Sequence, residues 1–213
     1  MTKPGADGAR SPRRRGATAD SRDTPFGRRI SDPGALRALA HTGRYAILAK
    51  LQADGPATAT ECAQVAGLSP SACSYHLRLL AKHGFVEPDD SRDRDGRERV
   101  WRAAITSWVT EPDPDADPRE AQALDATLTR VMLADSDAKV LDFADRAAAE
   151  PEWREAALMS SSTVIATVDE LREISLELMA VLRPYFRTAR PLEDAPPGAR
   201  QVHMSIRMAP ERP

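Results

Sequence analysis

The sequence predicts a mainly α-helical protein with a small β-hairpin. Three observations carry that prediction. Between Ile30 and Trp108, apolar residues recur at helical spacing behind recognisable helix starts. Near Asp95-Gly96, a turn signal separates two short strand-like runs. Beyond Arg119, apolar residues recur at alternating spacings of three and four, the pattern of a helix–helix seam.

The elements follow in order. Residues 1–29 are rich in Gly, Pro, Ser, Arg and Asp and almost lack large apolar side chains, so they are expected to be a disordered basic tail. Asp32-Pro33 is an N-cap followed by proline at the first helical position, and Leu36, Leu39 and Ala40 give that short helix an apolar face. Thr42 is the expected cap of the next helix, whose inward positions are Ile47, Leu48 and Leu51 and which ends at Gly55-Pro56. Thr58 and Glu61 have the spacing of a capping box. The helix behind them turns Cys62, Val65 and Ala66 inward and stops at Gly67. Ser69-Pro70 caps a further helix that ends at His83-Gly84. Strands are expected at Phe85–Glu87 and around Arg97–Arg102.

Two short helices joined tightly at Gly67-Leu68-Ser69 and followed by a hairpin describe a winged helix-turn-helix domain over residues 30–108. Such a unit presents its second helix to the DNA major groove and buries that helix's opposite face. In Ser69–Lys82, the buried stripe is Cys73, Leu77 and Leu80. The outward stripe is Ser71, Tyr75, Arg78 and Lys82, flanked by Ala72, Ser74 and His76. Hydroxyls, an aromatic ring and cations suit base edges and phosphates, and the helix start favours phosphate. The hairpin tip carries Arg92, Arg94, Arg97 and Arg99, which can reach flanking phosphate or the minor groove. It also carries Asp89, Asp90, Asp93, Asp95 and Glu98, so its field is mixed.

These residues resemble a known family. The runs Leu39–Leu48 and Glu61–Ser69, the pattern Ser71-x-x-Ser74-x-His76-Leu77-x-x-Leu80 and the triplet Gly84-Phe85-Val86 are similar to the ArsR-type winged-helix regulators of bacteria. The resemblance covers about residues 31–108. It implies a dimeric, sequence-specific transcriptional regulator of double-stranded DNA, with repression as the family tendency. The recognition-helix positions carry over to Ser69, Ser71, Ala72, Ser74, Tyr75 and His76. The sequence departs from the metal-sensing members, whose Cys-x-Cys is here Glu61-Cys62-Ala63, and no histidine lies between His83 and His203. Metal sensing is therefore not carried over, and neither a metal nor a cofactor is expected.

Residues 109–118 form an acidic, proline-spaced linker, and residues 119–213 are expected to be a helical dimerisation region with a short two-stranded element. One seam runs through Ala121, Leu124, Leu128 and Val131. A second runs through Leu171, Ile174, Leu178, Val181 and Tyr185 behind a capping box at Thr167 and Glu170. Between them, Val140, Leu141 and Ala144 suggest another helix, and Trp153, Ala157 and Leu158 a shorter one. Ser162–Ala166 and Gln201–Met208 have strand-like patterns and are expected to pair. Two-fold pairing of chains would supply the second half-site on DNA. Phe143, Trp153, Met159, Met179 and Tyr185 are core candidates that could instead line a pocket for a small apolar effector.

Charge and composition bound the function. The 213 residues carry a net charge of −2. Residues 1–30 hold eight Lys/Arg against three Asp/Glu, residues 31–108 ten against nine, and residues 109–213 twelve against twenty. The acidic excess thus belongs to the C-terminal half, which is expected to face away from phosphate. Arg outnumbers Lys 26 to 4, a bias of GC-rich bacterial coding sequence. No apolar run exceeds five residues, so neither a membrane span nor a secretory signal is expected. Cys62 and Cys73 sit at inward helical positions as small hydrophobes, which fits the cytoplasm. A glycine-rich phosphate loop, a Gly-x-Ser-x-Gly elbow and His/Glu metal spacing are missing, so an enzyme is not expected. The rival is a degenerate winged helix that binds a partner chain, but its recognition face would be apolar, and this one is polar and basic.

Overall fold

The computed structural model describes residue 24 and residues 26–90, 98–111, 113–187 and 189–211. Asp32 starts helix α1 (Pro33–Leu39) by accepting hydrogen bonds from the backbone N–H groups of Gly34 and Ala35 at 3.1 and 3.0 Å. Helix α2 (Thr42–Asp54) begins one residue earlier than the sequence suggests. Its cap is His41, whose backbone is extended and whose Nδ1 accepts from the Arg44 N–H at 3.4 Å. Thr42 is therefore the first helical residue rather than the cap.

Helices α3 (Ala59–Ala66) and α4 (Pro70–Lys82) form the helix-turn-helix. Thr58 and Glu61 make the expected capping box at the start of α3. Gly67 ends α3 at φ +63, a left-handed conformation that side chains with a Cβ resist. A three-stranded sheet completes the wing, ordered β2 (Ala57–Thr58), β4 (Val100–Ala103), β3 (Val86–Pro88), with both pairings antiparallel. Strand β3 lies within one residue of its expected span, β4 starts three residues after Arg97, and the tip, residues 91–97, falls outside the described residues.

Strand β1 (Arg28–Ile30) pairs in parallel with β5 (Trp108–Thr110), and Arg29 bonds Glu111 at 2.7 Å. Ordered structure thus begins ahead of Ile30. The tail expected over residues 1–29 otherwise lies outside the described residues. One core closes this region, with Leu39, Ile47, Leu48, Cys62, Cys73, Leu77, Leu80 and Phe85 each at most 1% exposed.

The C-terminal half opens with one 29-residue helix, α5 (Pro118–Arg146), which absorbs the two helices expected separately around Leu128 and Leu141. Asp117 caps it, with Pro118 at its first position. Its first half packs on α1 and α2 and inserts Leu128 into the winged-helix core. Glu120 pairs with Arg37 across that contact. Helices α6 (Pro151–Ala156) and α7 (Val168–Leu182) follow, and α7 starts at the expected Thr167–Glu170 capping box.

The expected pairing of 162–166 with 201–208 is a correction: neither segment is a strand. Alternation alone does not make a strand without a partner edge and a surface to cover its apolar side. Both segments lie on the surface, and the second is tied instead to α5 through His203 and Arg207. No helix among the described residues is long and apolar enough to cross a membrane.

Candidate nucleic-acid interface

Helix α4 is built to show one face. Ser69 Oγ accepts from the Ala72 N–H at 3.2 Å and lies 3.1 Å from Ser71 Oγ, while Ser74 Oγ donates back to the Pro70 carbonyl at 2.9 Å. Cys73, Leu77 and Leu80 are completely buried. On the other side Ser71, Tyr75, Arg78 and Lys82 are exposed, Tyr75 by 62%. Among the described residues, neither Arg78 nor Lys82 makes an ion pair. Ala72 and Ser74 are half-buried at the margin of this face.

His76 is placed differently from its neighbours. Its ring lies 5.0 Å from that of His41 and 5.6 Å from that of Tyr75. Its Nδ1 is buried without a hydrogen-bond partner among the described residues. Burial, then the nearby His41 and Arg44, hold its pKa below the ordinary imidazole value. Its geometry is that of a packing group between α2 and α4. Arg44, which sequence reasoning missed, fixes the same corner. Its guanidinium donates to the carbonyls of Ala38 and Arg37, satisfying the exposed end of α1. An arginine two residues inside an amphipathic helix gives no signal of that role.

At the wing, Arg99 is exposed and its guanidinium lies 5.8 Å above the Trp101 ring. Arg102 pairs with Glu87 at 2.6 Å across the hairpin, and Glu98 accepts from Thr60 Oγ1 at 2.6 Å, tying the wing base to α3. Arg92, Arg94 and Arg97 lie outside the described residues. Cys62 and Cys73 are buried beside each other, and burial pushes the Cys62 thiol up to about 12.

The seam residues divide. Leu128 is buried in its own chain, and Leu124, Val131 and Leu171 are half-buried. Ile174, Leu178, Val181 and Tyr185 are exposed. Of the effector-pocket candidates, Phe143, Trp153 and Tyr185 each have an arginine guanidinium near the ring, from Arg146, Arg200 and Arg190 at 5.3, 4.6 and 5.5 Å respectively. Met159 is exposed and Met179 half-buried.

Comparison with known proteins adds three findings. No curated protein matches the chain. Among solved structures, the chain is similar to a double mutant of ZitR from Lactococcus lactis in apo form. That likeness has 16% identity and a TM-score of 0.29, and covers 68% of this chain and 83% of that one. A family described as a helix-turn-helix domain matches residues 39–89, the span from the end of α1 to just past β3. The chain therefore contains a helix-turn-helix domain, with α4 as its second helix.

Proposed function

We propose that this protein is a sequence-specific, double-stranded DNA-binding transcriptional regulator of the ArsR type, cytoplasmic and homodimeric, which represses by occupying a two-fold operator. The observation that carries the reading is the division of α4. Its inner stripe is sealed in the core, while Ser71, Tyr75, Arg78 and Lys82 stand exposed, with both cations unpaired among the described residues. Ser71 and Tyr75 supply groups for base edges, and Arg78 and Lys82 supply charge for bases or phosphate. Arg99 extends the contact from the wing, with Arg94 and Arg97 assigned the same role from the sequence. His76 supports α4 from behind.

The winged-helix stretch is nearly neutral, with ten basic residues against nine acidic ones over 31–108. Non-specific attraction is therefore modest, and specificity leans on few side chains and on two half-sites. The test is a gel shift with DNA from upstream of the protein's own gene at low salt. Arg78→Ala and Tyr75→Ala are each expected to weaken the shift by about 1–3 kcal/mol. The reading is overturned by the lack of a shift where a related regulator shifts its own operator. Wild-type binding by both variants would overturn the assignment of the face.

A further inference from the structure

The start of α3 and the base of the wing are fastened to each other through side chains. In the β2–β4 ladder, Ala57 lies opposite Trp101 and Thr58 opposite Val100. Backbone pairing stops there, because the chain turns into α3 at Ala59. Continued by two residues, the same antiparallel register sets Thr60 opposite Glu98. Side chains close that step: Thr60 Oγ1 donates to Glu98 Oε1 at 2.6 Å. A hydroxyl that donates to a carboxylate makes a charge-assisted bond, roughly twice as strong as a neutral one.

Arg99 lies between this bond and a second fastening. Its guanidinium is 5.8 Å from the centroid of the Trp101 ring, and Trp101 is 6% exposed. Arg99 itself is exposed, and among the described residues it makes no ion pair. The limb that carries it is thus tied at one point to the first turn of α3 and at the other to a ring sealed in the core. Helix α3 in turn packs on α4. The two ties therefore fix where Arg99 stands relative to the exposed face of α4. The bond to Thr60 also engages a charge. A carboxylate beside Arg99 that swung free would meet the same phosphate with repulsion.

We propose that Thr60 is a positioning residue for DNA binding. By holding Glu98 at the start of α3, it sets Arg99 on the phosphate that flanks the groove entered by α4, and it keeps the Glu98 carboxylate off that phosphate. The inference rests on the DNA-binding reading and names how one of its contacts is set. A bond that served the fold alone would be indifferent to whether Arg99 is present.

The test measures binding of full-length variants to DNA from upstream of the protein's own gene, by fluorescence anisotropy over a range of salt concentrations. Thr60→Val removes the donor and keeps the shape. It is expected to weaken binding about threefold for each bound chain, and to make the plot of log K against log salt shallower by about one for each. Arg99→Ala is expected to do the same, and Thr60→Val to add nothing in the Arg99→Ala background. Thr60→Ser keeps the hydroxyl and is expected to keep the wild-type slope. Glu98→Gln retains an acceptor and Glu98→Ala does not, at equal charge, so Glu98→Ala is expected to bind the more weakly of the two. Additive losses from Thr60→Val and Arg99→Ala overturn the inference. So does a wild-type slope in Thr60→Val, or equal binding by the two Glu98 variants. Each of these results leaves the DNA-binding reading standing. No binding by the wild-type chain overturns that reading, and the inference with it.

Discussion

The two halves of this chain obey the same rule of spacing with opposite results. In α4, apolar residues three and four apart put Cys73, Leu77 and Leu80 at no exposure. In α7 and the turn after it, the same spacing leaves Ile174 and Leu178 more than a third exposed and Val181 and Tyr185 two-thirds exposed. The difference lies in what surrounds each helix. Helix α4 is held by α2, α3, the wing and α1, whereas α7 meets mainly its own following turn. Periodicity states that a face is to be covered, not whether the same chain covers it.

The sharpest way to break that comparison is to empty matched positions. Leu80→Ala removes a fully buried side chain from a closed core and is expected to cost about 3 kcal/mol in denaturant unfolding. Val181→Ala, made at a concentration where the chain is monomeric, is expected to cost less than about 0.5 kcal/mol, since it empties no cavity. Equal losses at the two sites would show that α7 is packed in the isolated chain. A Val181→Ala effect that appears only as protein concentration rises would show that its cover is a second copy.

Features set by a few adjacent residues were legible in the sequence. Asp32-Pro33, Thr58 with Glu61, Ser69-Pro70 and Thr167 with Glu170 each begin a helix as their side-chain chemistry dictates. The inner stripe of α4 was legible for the same reason. Features set by distant residues were not. Strands β1, β2 and β5 have two or three residues each and exist because a partner strand lies alongside. Thr42 is the better capping residue of α2 by type, but His41 has the extended backbone that a cap needs. The division of α4 between an exposed Tyr75 and a packed His76 depends on His41, which lies 35 positions away in the chain. Strand-like residues at 162–166 and alternation at 201–208 are visible in the sequence, but the lack of an edge for them to join is not.

The two capping boxes sharpen the comparison at smaller energies. Thr58 opens α3 inside the closed domain, and Thr167 opens the exposed α7. Thr58→Ala is expected to lower global stability by about 1 kcal/mol, because α3 unfolds only with the domain. Thr167→Ala removes the same hydrogen bonds but is expected to fray only the first turn of α7. Hydrogen exchange would then quicken at Asp169 and Glu170 while the unfolding midpoint stays put. A shift in midpoint from Thr167→Ala as large as that from Thr58→Ala would show that α7 belongs to the same cooperative unit.

Acid discriminates the halves most finely. His41 and His76 meet at the α2–α4 corner, and His203 sits against α5. Burial lowers the pKa of all three below the imidazole value of about 6.5, with Arg44 adding to the effect on the first two and Lys139 on the third. A base whose folded pKa lies below its unfolded one binds more protons unfolded. Its stabilising contribution is present above about pH 6.5 and is lost as pH falls toward the folded value. The unfolding midpoint is therefore expected to drop between pH 7 and 5.5. This window lies above that of Glu61, whose pKa the Thr58 N–H and hydroxyl hold below the ordinary carboxylate value. His41→Asn retains a capping acceptor and removes a titrating ring, and with His76→Gln it is expected to flatten most of the slope. His203→Gln is expected to change it less, because it removes one titrating ring rather than two. The reverse ranking would place the acid-sensitive contact between His203 and α5, and an unchanged slope in both variants would remove these histidines from the acid response.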